Sequence, residues 1–401
     1  MRILAINQFY APDHAATSQL LTELCEDLVD QGDEVTVIAS RGRYLGGDKL
    51  APEETIRGVR VVRPWATSFG KRRLAGRLTD YLSFWGTAVA RAAAEARPDV
   101  MLAVTAPPMI ASGALAVASA RRVPLVMWAQ DVYPDIAVAF GLISASSPAA
   151  IGLSALMRLT YRASSRVVVL SPGMRDRLQA QGAPEGKLRV IPNWSDGRAI
   201  RPLAPEQNPF RREHGLEDRF VVMYSGNLGV GHDVATFIDA ARLLEARCPR
   251  ALLLFIGEGT RRAEAEQLAR GLSNVRFLGY QPYETLGYSL AAADVHLISL
   301  RVGLDGLLVP SKLYGALATA RPVMFVGPEQ CEAARVISEN NLGWQGRPGD
   351  GAGLAQAIET AAASPAWCAE RGLRARALFE AELDRPIAVA RWRSVLEEAA
   401  G

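Results

Sequence analysis

Lysine is nearly missing from this chain. Four of its 45 basic residues are lysine, which leaves 41 arginines (45 less 4). The skew reads as genomic composition, and it singles out each lysine that is kept. Cysteine is as scarce. Cys25, Cys248, Cys331 and Cys368 lie far apart with no C-x-x-C pair, which argues against a disulfide framework or a zinc site and fits a reducing cytoplasm. No run of 18 apolar residues occurs, and the small-residue stretch 109–120 stops well short of a membrane span. That argues against a chain that crosses the bilayer, though not against one that attaches to its surface. Met1-Arg2 leads straight into Ile3-Leu4-Ala5-Ile6, too short for a secretory signal. Excess charge is also lacking: a formal net charge of +3 over 401 residues is too small for bulk nucleic-acid binding. There is no G-x-x-x-x-G-K-[ST], since Gly182 to Lys187 runs into Leu188 at too short a spacing, and no G-x-S-x-G. The four histidines, His14, His214, His232 and His296, show no H-E-x-x-H spacing, so metal hydrolysis is not expected. His296, inside an apolar strand, reads as core; His14, in the loop after the first strand, is placed to line a cleft.

What is present is length and apolar content enough for two domains. Short apolar runs alternate with amphipathic stretches, the grammar of βα units and a parallel sheet. The first half predicts strands at 2–7, 34–39, 59–62, 100–104, 124–128, 166–170 and 189–191, with a helix over 17–31 stopped at Gly32. The second half restarts the pattern at 220–225, 251–256, 275–278, 295–299 and 323–326, with a weaker strand at 343–345. Residues 192–219, rich in proline and charge, read as a linker. The expected class is α/β: two Rossmann-like parallel-sheet domains, 1–195 and 196–384, facing a central cleft, with a helix over 385–401 that packs back on the first. Ligands bind at the carboxyl edges of such sheets.

Four segments carry candidate chemistry, each with a plainer reading beside it. The first is Ser225-Gly226-Asn227-Leu228-Gly229-Val230-Gly231-His232, which joins a strand to a helix. Glycines there let a phosphate approach backbone amides; otherwise this is a tight turn that binds nothing. The second, Pro310-Ser311-Lys312-Leu313-Tyr314-Gly315, opens a helix. A cation in a helix's first turn is disfavoured by the dipole unless an anion sits there too, so Lys312 is either a diphosphate ligand or a solvated surface lysine. The third is Asp131, at the end of strand 124–128, either an acid–base group or a helix cap; Asp135 reads as the cap. The fourth is residues 57–85. Arg57, Arg60, Arg63, Lys71, Arg72, Arg73 and Arg77 have no acid among them, and Trp65, Phe69, Tyr81, Phe84 and Trp85 are interleaved. Such a stretch suits an anionic membrane surface; a solvated face is the alternative, and nucleic acid is not expected.

In order and spacing these motifs resemble the GT-B glycosyltransferases of the large retaining family, glycosyltransferase family four. The resemblance runs over essentially the whole chain. It rests on Asn7-Gln8-Phe9-Tyr10-Ala11-Pro12, Val190-Ile191-Pro192-Asn193, Phe255-Ile256-Gly257-Glu258-Gly259 and Val275-Arg276-Phe277-Leu278-Gly279. The bacterial colanic-acid and exopolysaccharide subgroup is suggested by Gln130 to Asp135, Ser225 to Gly229 and Pro310 to Gly315. The resemblance implies a donor nucleotide sugar, UDP- or GDP-linked, on the second domain, and a lipid-linked saccharide acceptor on the first. The enzyme would be cytoplasmic and peripheral at the inner face of the bacterial membrane. It implies no cofactor and no metal, and no D-x-D motif is present. Donor contacts would fall to Ser225, Gly226, Asn227, Gly229, His232, Glu258, Phe277, Leu278, Pro310, Ser311, Lys312 and Tyr314. Tyr10, His14 and Thr17 would contact the acceptor, and Asp131 and Lys312 would be catalytic. Two glutamates that many relatives carry are replaced by Leu307 and Gly315, which leaves the ribose contact open among Glu284, Glu329 and Glu332. A nucleotide-sugar epimerase of the same fold, or a non-catalytic nucleotide-sugar-binding partner, are the rival readings.

Overall fold

A computed structural model describes residues 1–13, 15–43, 46–69 and 74–401. The chain forms two compact units: residues 1–192 with 306–308 and 388–401, and residues 193–305 with 309–387.

The first unit is built on eight strands: β1 (Arg2–Ile6), β2 (Glu34–Ile38), β3 (Glu53–Ile56), β4 (Val59–Val62), β5 (Val100–Val104), β6 (Leu125–Ala129), β7 (Arg166–Val169) and β8 (Leu188–Val190), in the order β3-β4-β2-β1-β5-β6-β7-β8. All pairs are parallel except β3 with β4. β5 and β6 are buried along their whole length, as continuous apolar runs covered by helices on both faces should be. The strand order reverses between β1 and β5, so the loops after these two strands diverge at a switch point where open α/β sheets bind ligands. The helix Ala16–Asp30 buries Leu20, Leu21, Leu24, Cys25 and Leu28 on one face. The C-terminal helix Arg385–Ala400 belongs largely to this unit. Its Trp392 packs on Trp128 of β6, ring centroids 4.5 Å apart, while Glu398 pairs with Arg166 and Arg189.

The second unit holds β9 (Phe220–Ser225), β10 (Ala251–Ile256), β11 (Val275–Leu278), β12 (Val295–Ser299), β13 (Val323–Val326) and β14 (Gly343–Gly346). They form an all-parallel sheet ordered β11-β10-β9-β12-β13-β14, with its switch point between β9 and β12. Tyr224, Phe237 and Phe255 fill the core under the helix Ala235–Arg247.

Three features differ from the sequence-based expectation. β3 has no counterpart in it. Residues 192–219 do not behave as a free linker: Phe210 and Leu216 are core residues, and Asn208 caps the helix Pro209–Glu213 by accepting from the Phe210 amide. The buried Arg211 there donates to the carbonyls of Ala292, Leu216 and Arg219. Finally, residues 306–308 fold with the first unit, where the Leu307 carbonyl accepts from the Val132 amide at 3.0 Å.

Candidate functional site

The turn after β9 is shaped by its glycines. Gly226 (φ +125°) and Gly257 (φ +130°), which follows β10, adopt backbone angles that L side chains rarely take. A Cβ on Gly257 would overlap the Gly226 carbonyl. The two loops are stitched by Gly226 N–H to Ile256 O and Leu228 N–H to Glu258 O, both 2.8 Å. The Gly226 amide is therefore spent on the neighbouring strand. Among the described residues, the amides of Asn227, Gly229, Val230 and Gly231 donate to no protein acceptor.

Lys312 opens the helix Lys312–Ala318 and reaches back over this turn. A Cβ on Gly226 would stand 2.9 Å from its Cε. Lys312 Nζ lies 3.0 Å from His232 Nε2 and 4.9 Å from the centroid of the Tyr224 ring. His232 Nδ1 is 2.7 Å from the Ser299 carbonyl at the end of β12. That carbonyl can only accept, so Nδ1 carries the proton and Nε2 is left as a lone pair facing the ammonium. Burial and the Lys312 charge hold the His232 pKa down at about 3, and desolvation pulls Lys312 down to about 7. No carboxylate pairs with Lys312 among the described residues. A cation kept short of a counter-ion, beside unengaged amides at a sheet's switch point, is chemistry suited to an anion with several oxygens.

Other expected donor residues are scattered in kind. Ser225 and Gly229 are half-buried and Asn227 is exposed. Phe277 stacks on Phe255 at 4.9 Å with Arg262 over it, and the Leu278 carbonyl accepts from the Gly257 amide. Glu258 is paired with Arg262 at the surface. Pro310 is buried, and Ser311 is exposed and makes no side-chain cap. Tyr314 is a correction: it is buried, and its hydroxyl meets the Asn193 backbone. A side chain so enclosed presents nothing to a ligand. Gly315 is crowded by Leu290 and Ser195, so a side chain there would not fit freely. Of the three spare glutamates, Glu329 pairs with Arg347 and Glu332 with Arg335, both at 2.8 Å, while Glu284 is exposed. His296 is buried beside Thr319, as its apolar strand predicted.

In the first unit, Asp131 follows β6 at the carboxyl edge. The Thr105 hydroxyl accepts from the amides of Gln130 and Asp131 at 3.2 and 3.3 Å, and the Leu307–Val132 bond fixes the next residue. No group donates to its carboxylate among the described residues, and desolvation pushes its pKa up to about 6. Asp131 thus caps no helix. Neither does Asp135, which sits inside the helix Asp135–Ala139 and pairs with Arg177 at 2.8 Å. Tyr10 is a second correction. It is fully buried against Cys25, with its pKa raised by burial, so its ring is core and not an acceptor contact. Thr17 is half-buried in the first turn of the helix Ala16–Asp30. His14, Lys71, Arg72 and Arg73 lie outside the described residues. No group of three or more metal-ligating side chains occurs among the described residues.

Residues 17–194 match the glycosyl transferase 4-like domain and residues 219–364 the glycosyl transferases group 1 domain. The chain is 29% identical over 269 residues to the probable glycosyltransferase WbjE of Pseudomonas aeruginosa, covering 66% of each chain. It is 25% identical over 332 residues to WcaI of Escherichia coli (strain K12), named as a colanic acid biosynthesis glycosyl transferase, covering 79% of this chain and 81% of that one. Among solved structures it resembles HepE of Anabaena in complex with UDP and glucose, with a TM-score of 0.73 and 17% identity over 99% of each chain. With a 4-like domain followed by a group 1 domain, on two parallel-sheet α/β units, the chain belongs to the GT-B glycosyltransferases of the family-four type.

Proposed function

We propose that this enzyme moves a sugar from a UDP- or GDP-linked donor to a lipid-linked saccharide in the synthesis of a bacterial surface polysaccharide. The observation that carries the reading is Lys312: an ammonium without a carboxylate partner, lodged against a neutral histidine beside a turn with four unengaged amides. In this reading the second unit holds the donor and the first the acceptor. The bond from sugar C1 to the diphosphate oxygen breaks as the acceptor oxygen bonds to C1. The hydroxyl proton passes to Asp131, whose desolvated carboxylate is a better base than one in water. Negative charge grows on the departing diphosphate, and Lys312 with the amides of Asn227, Gly229, Val230 and Gly231 stabilises it without a metal. Retention at C1, with the acceptor oxygen entering on the face that the diphosphate leaves, and a ribose contact from one of Glu284, Glu329 and Glu332 belong to the same proposal. The polysaccharide setting is supported by the likeness to WcaI, and a UDP-linked donor by the ligands of HepE.

The test is thermal denaturation with UDP, GDP and ADP. The matching nucleotide, at about 100 times its Kd, should stabilise the protein by about 2.7 kcal/mol. Lys312→Ala should abolish most of that shift and lower turnover on membrane extract by about 100-fold or more. A folded Lys312→Ala enzyme within threefold of wild type removes the role given to that ammonium. Release of an epimerised sugar from donor alone would favour the epimerase reading instead.

A further inference from the structure

The helix Leu74–Ala94 carries two side chains whose surroundings do not fit a role on a membrane surface. Arg77 and Tyr81 stand one turn apart, on the same face. The Arg77 guanidinium carbon lies 6.0 Å from the Tyr81 ring centroid. Arg77 Nε is shut off from solvent with no hydrogen-bond partner, and the side chain forms no ion pair among the described residues. The nearest acid on the helix, Asp80, is occupied: it accepts from the Thr67 hydroxyl and the Phe69 amide.

This helix is tied to the carboxyl edge of the first sheet. Trp85 Nε1 donates to the Met109 carbonyl at 3.2 Å, in the loop after β5. The same loop supplies Thr105, which holds the Asp131 amide. Tyr81 and Tyr133 are both half-buried, and neither hydroxyl has a partner among the described residues. Burial is what chiefly pushes both phenols up; beyond it the Asp131 carboxylate raises and the Arg77 guanidinium lowers each of them, which places both charges near both rings. The four groups therefore share one neighbourhood at the carboxyl edge of the first sheet: an unpaired carboxyl, two half-buried aromatic rings and an unpaired guanidinium.

We infer that this cluster is the seat of an acceptor whose first sugar is joined to its lipid through a phosphate or diphosphate, with Arg77 selecting the anionic linkage. A sugar ring presents C–H faces that lie against aromatic rings. A hydroxyl on its far side donates to Asp131, and the phosphate on its near side takes the charge-assisted donors of Arg77. The inference rests on the acceptor reading above but uses only residues of the first unit, so the two can fail separately.

The probes are octyl diphosphoglucose and octyl glucoside, both below their micelle concentrations, titrated against the full chain and followed by tryptophan fluorescence. Wild type should bind the diphospho probe about tenfold or more tightly than the glucoside. Arg77→Gln should erase that preference while leaving glucoside affinity in place, and Arg77→Lys should restore part of it. Tyr81→Leu should weaken both probes alike. Stabilisation by the matching nucleoside diphosphate should be the same in all four proteins. Equal affinity for the two probes in wild type, no binding of either, or an unchanged preference in a folded Arg77→Gln protein each overturns the inference. Loss of the nucleotide response in wild type would overturn the donor reading instead and leave this site standing.

Discussion

At the scale of single residues, Lys312 carries the most consequence, and its chemistry can be read without substrate. An ordinary lysine titrates near 10.5, whereas this one is pulled down to about 7. Between these values the unfolded chain binds more protons than the folded one, so stability rises with pH across that window and is flat below it. His232, held near 3, is neutral in both states above pH 7 and adds nothing there. Denaturant midpoints of wild type and Lys312→Met, taken at pH 6, 7, 8 and 9, should run parallel up to about pH 7; above it wild type should gain on the variant. A constant gap would mean that the ammonium is solvated. Lys312 was legible in the sequence because a chain with 41 arginines kept a lysine at a helix start. Its setting was not: Tyr224 and His232 come from the end of β9 and the turn after it, 88 and 80 positions away, and Ser299 from the end of β12. Tyr10 and Tyr314 were misread for the opposite reason. Each lies inside a motif whose neighbours line a loop or helix start, but alternate positions of such segments turn inward, and burial there depends on packing that spacing does not report.

At the scale of elements, the interlocked loops after β9 and β10 set the position of everything above them. Gly257→Ala places a methyl against the Gly226 carbonyl, at a φ of +130° that already disfavours a side chain. We expect a loss of about 1–3 kcal/mol, measured by denaturant unfolding. The nucleotide response should weaken as well, because the displaced turn carries the free amides. An unchanged midpoint would show that the two loops can separate at little cost. Most strands were readable because continuous apolar runs between helical periods have few other uses. β3 escaped because Glu53-Glu54-Thr55-Ile56 is a short, charged edge strand that alternates exposed and half-buried positions. It returns through Arg57 and Gly58, both at positive φ, a hairpin turn without the usual Asn-Gly signal. The proline-rich stretch 192–219 misled because proline marks the start of the helix Pro209–Glu213 as readily as it marks a linker.

For the whole molecule, the question is how a chain with a net charge of +3 would find a membrane. Among the described residues no helix is long and apolar enough to cross one, and the overall charge is too small to draw the molecule to an anionic surface. Attachment would have to be local. Residues 57–85 expose Trp65, Phe69, Leu78 and Leu82, an apolar set that suits insertion at the headgroup boundary. Their basic residues are a correction to the sequence reading, since Arg57 pairs with Glu26, Arg60 with Glu53 and Glu95, and the buried Arg63 with Glu54. Leu82 and Leu373 make a matched pair for testing this. Each is 71% exposed, one on the helix Leu74–Ala94 of the first unit and one on the helix Pro365–Leu378 of the second. Neither substitution to glutamate should disturb folding, since each side chain already stands in water. In sedimentation with vesicles containing a third phosphatidylglycerol, Leu82→Glu should lower binding about tenfold, through lost insertion and added repulsion, while Leu373→Glu should bind like wild type. Raising the salt from 0.1 to 0.5 M should weaken wild type in part but not abolish binding, because screening removes the charge contribution and leaves the apolar one. Equal binding by the two variants would move the attachment away from residues 57–85.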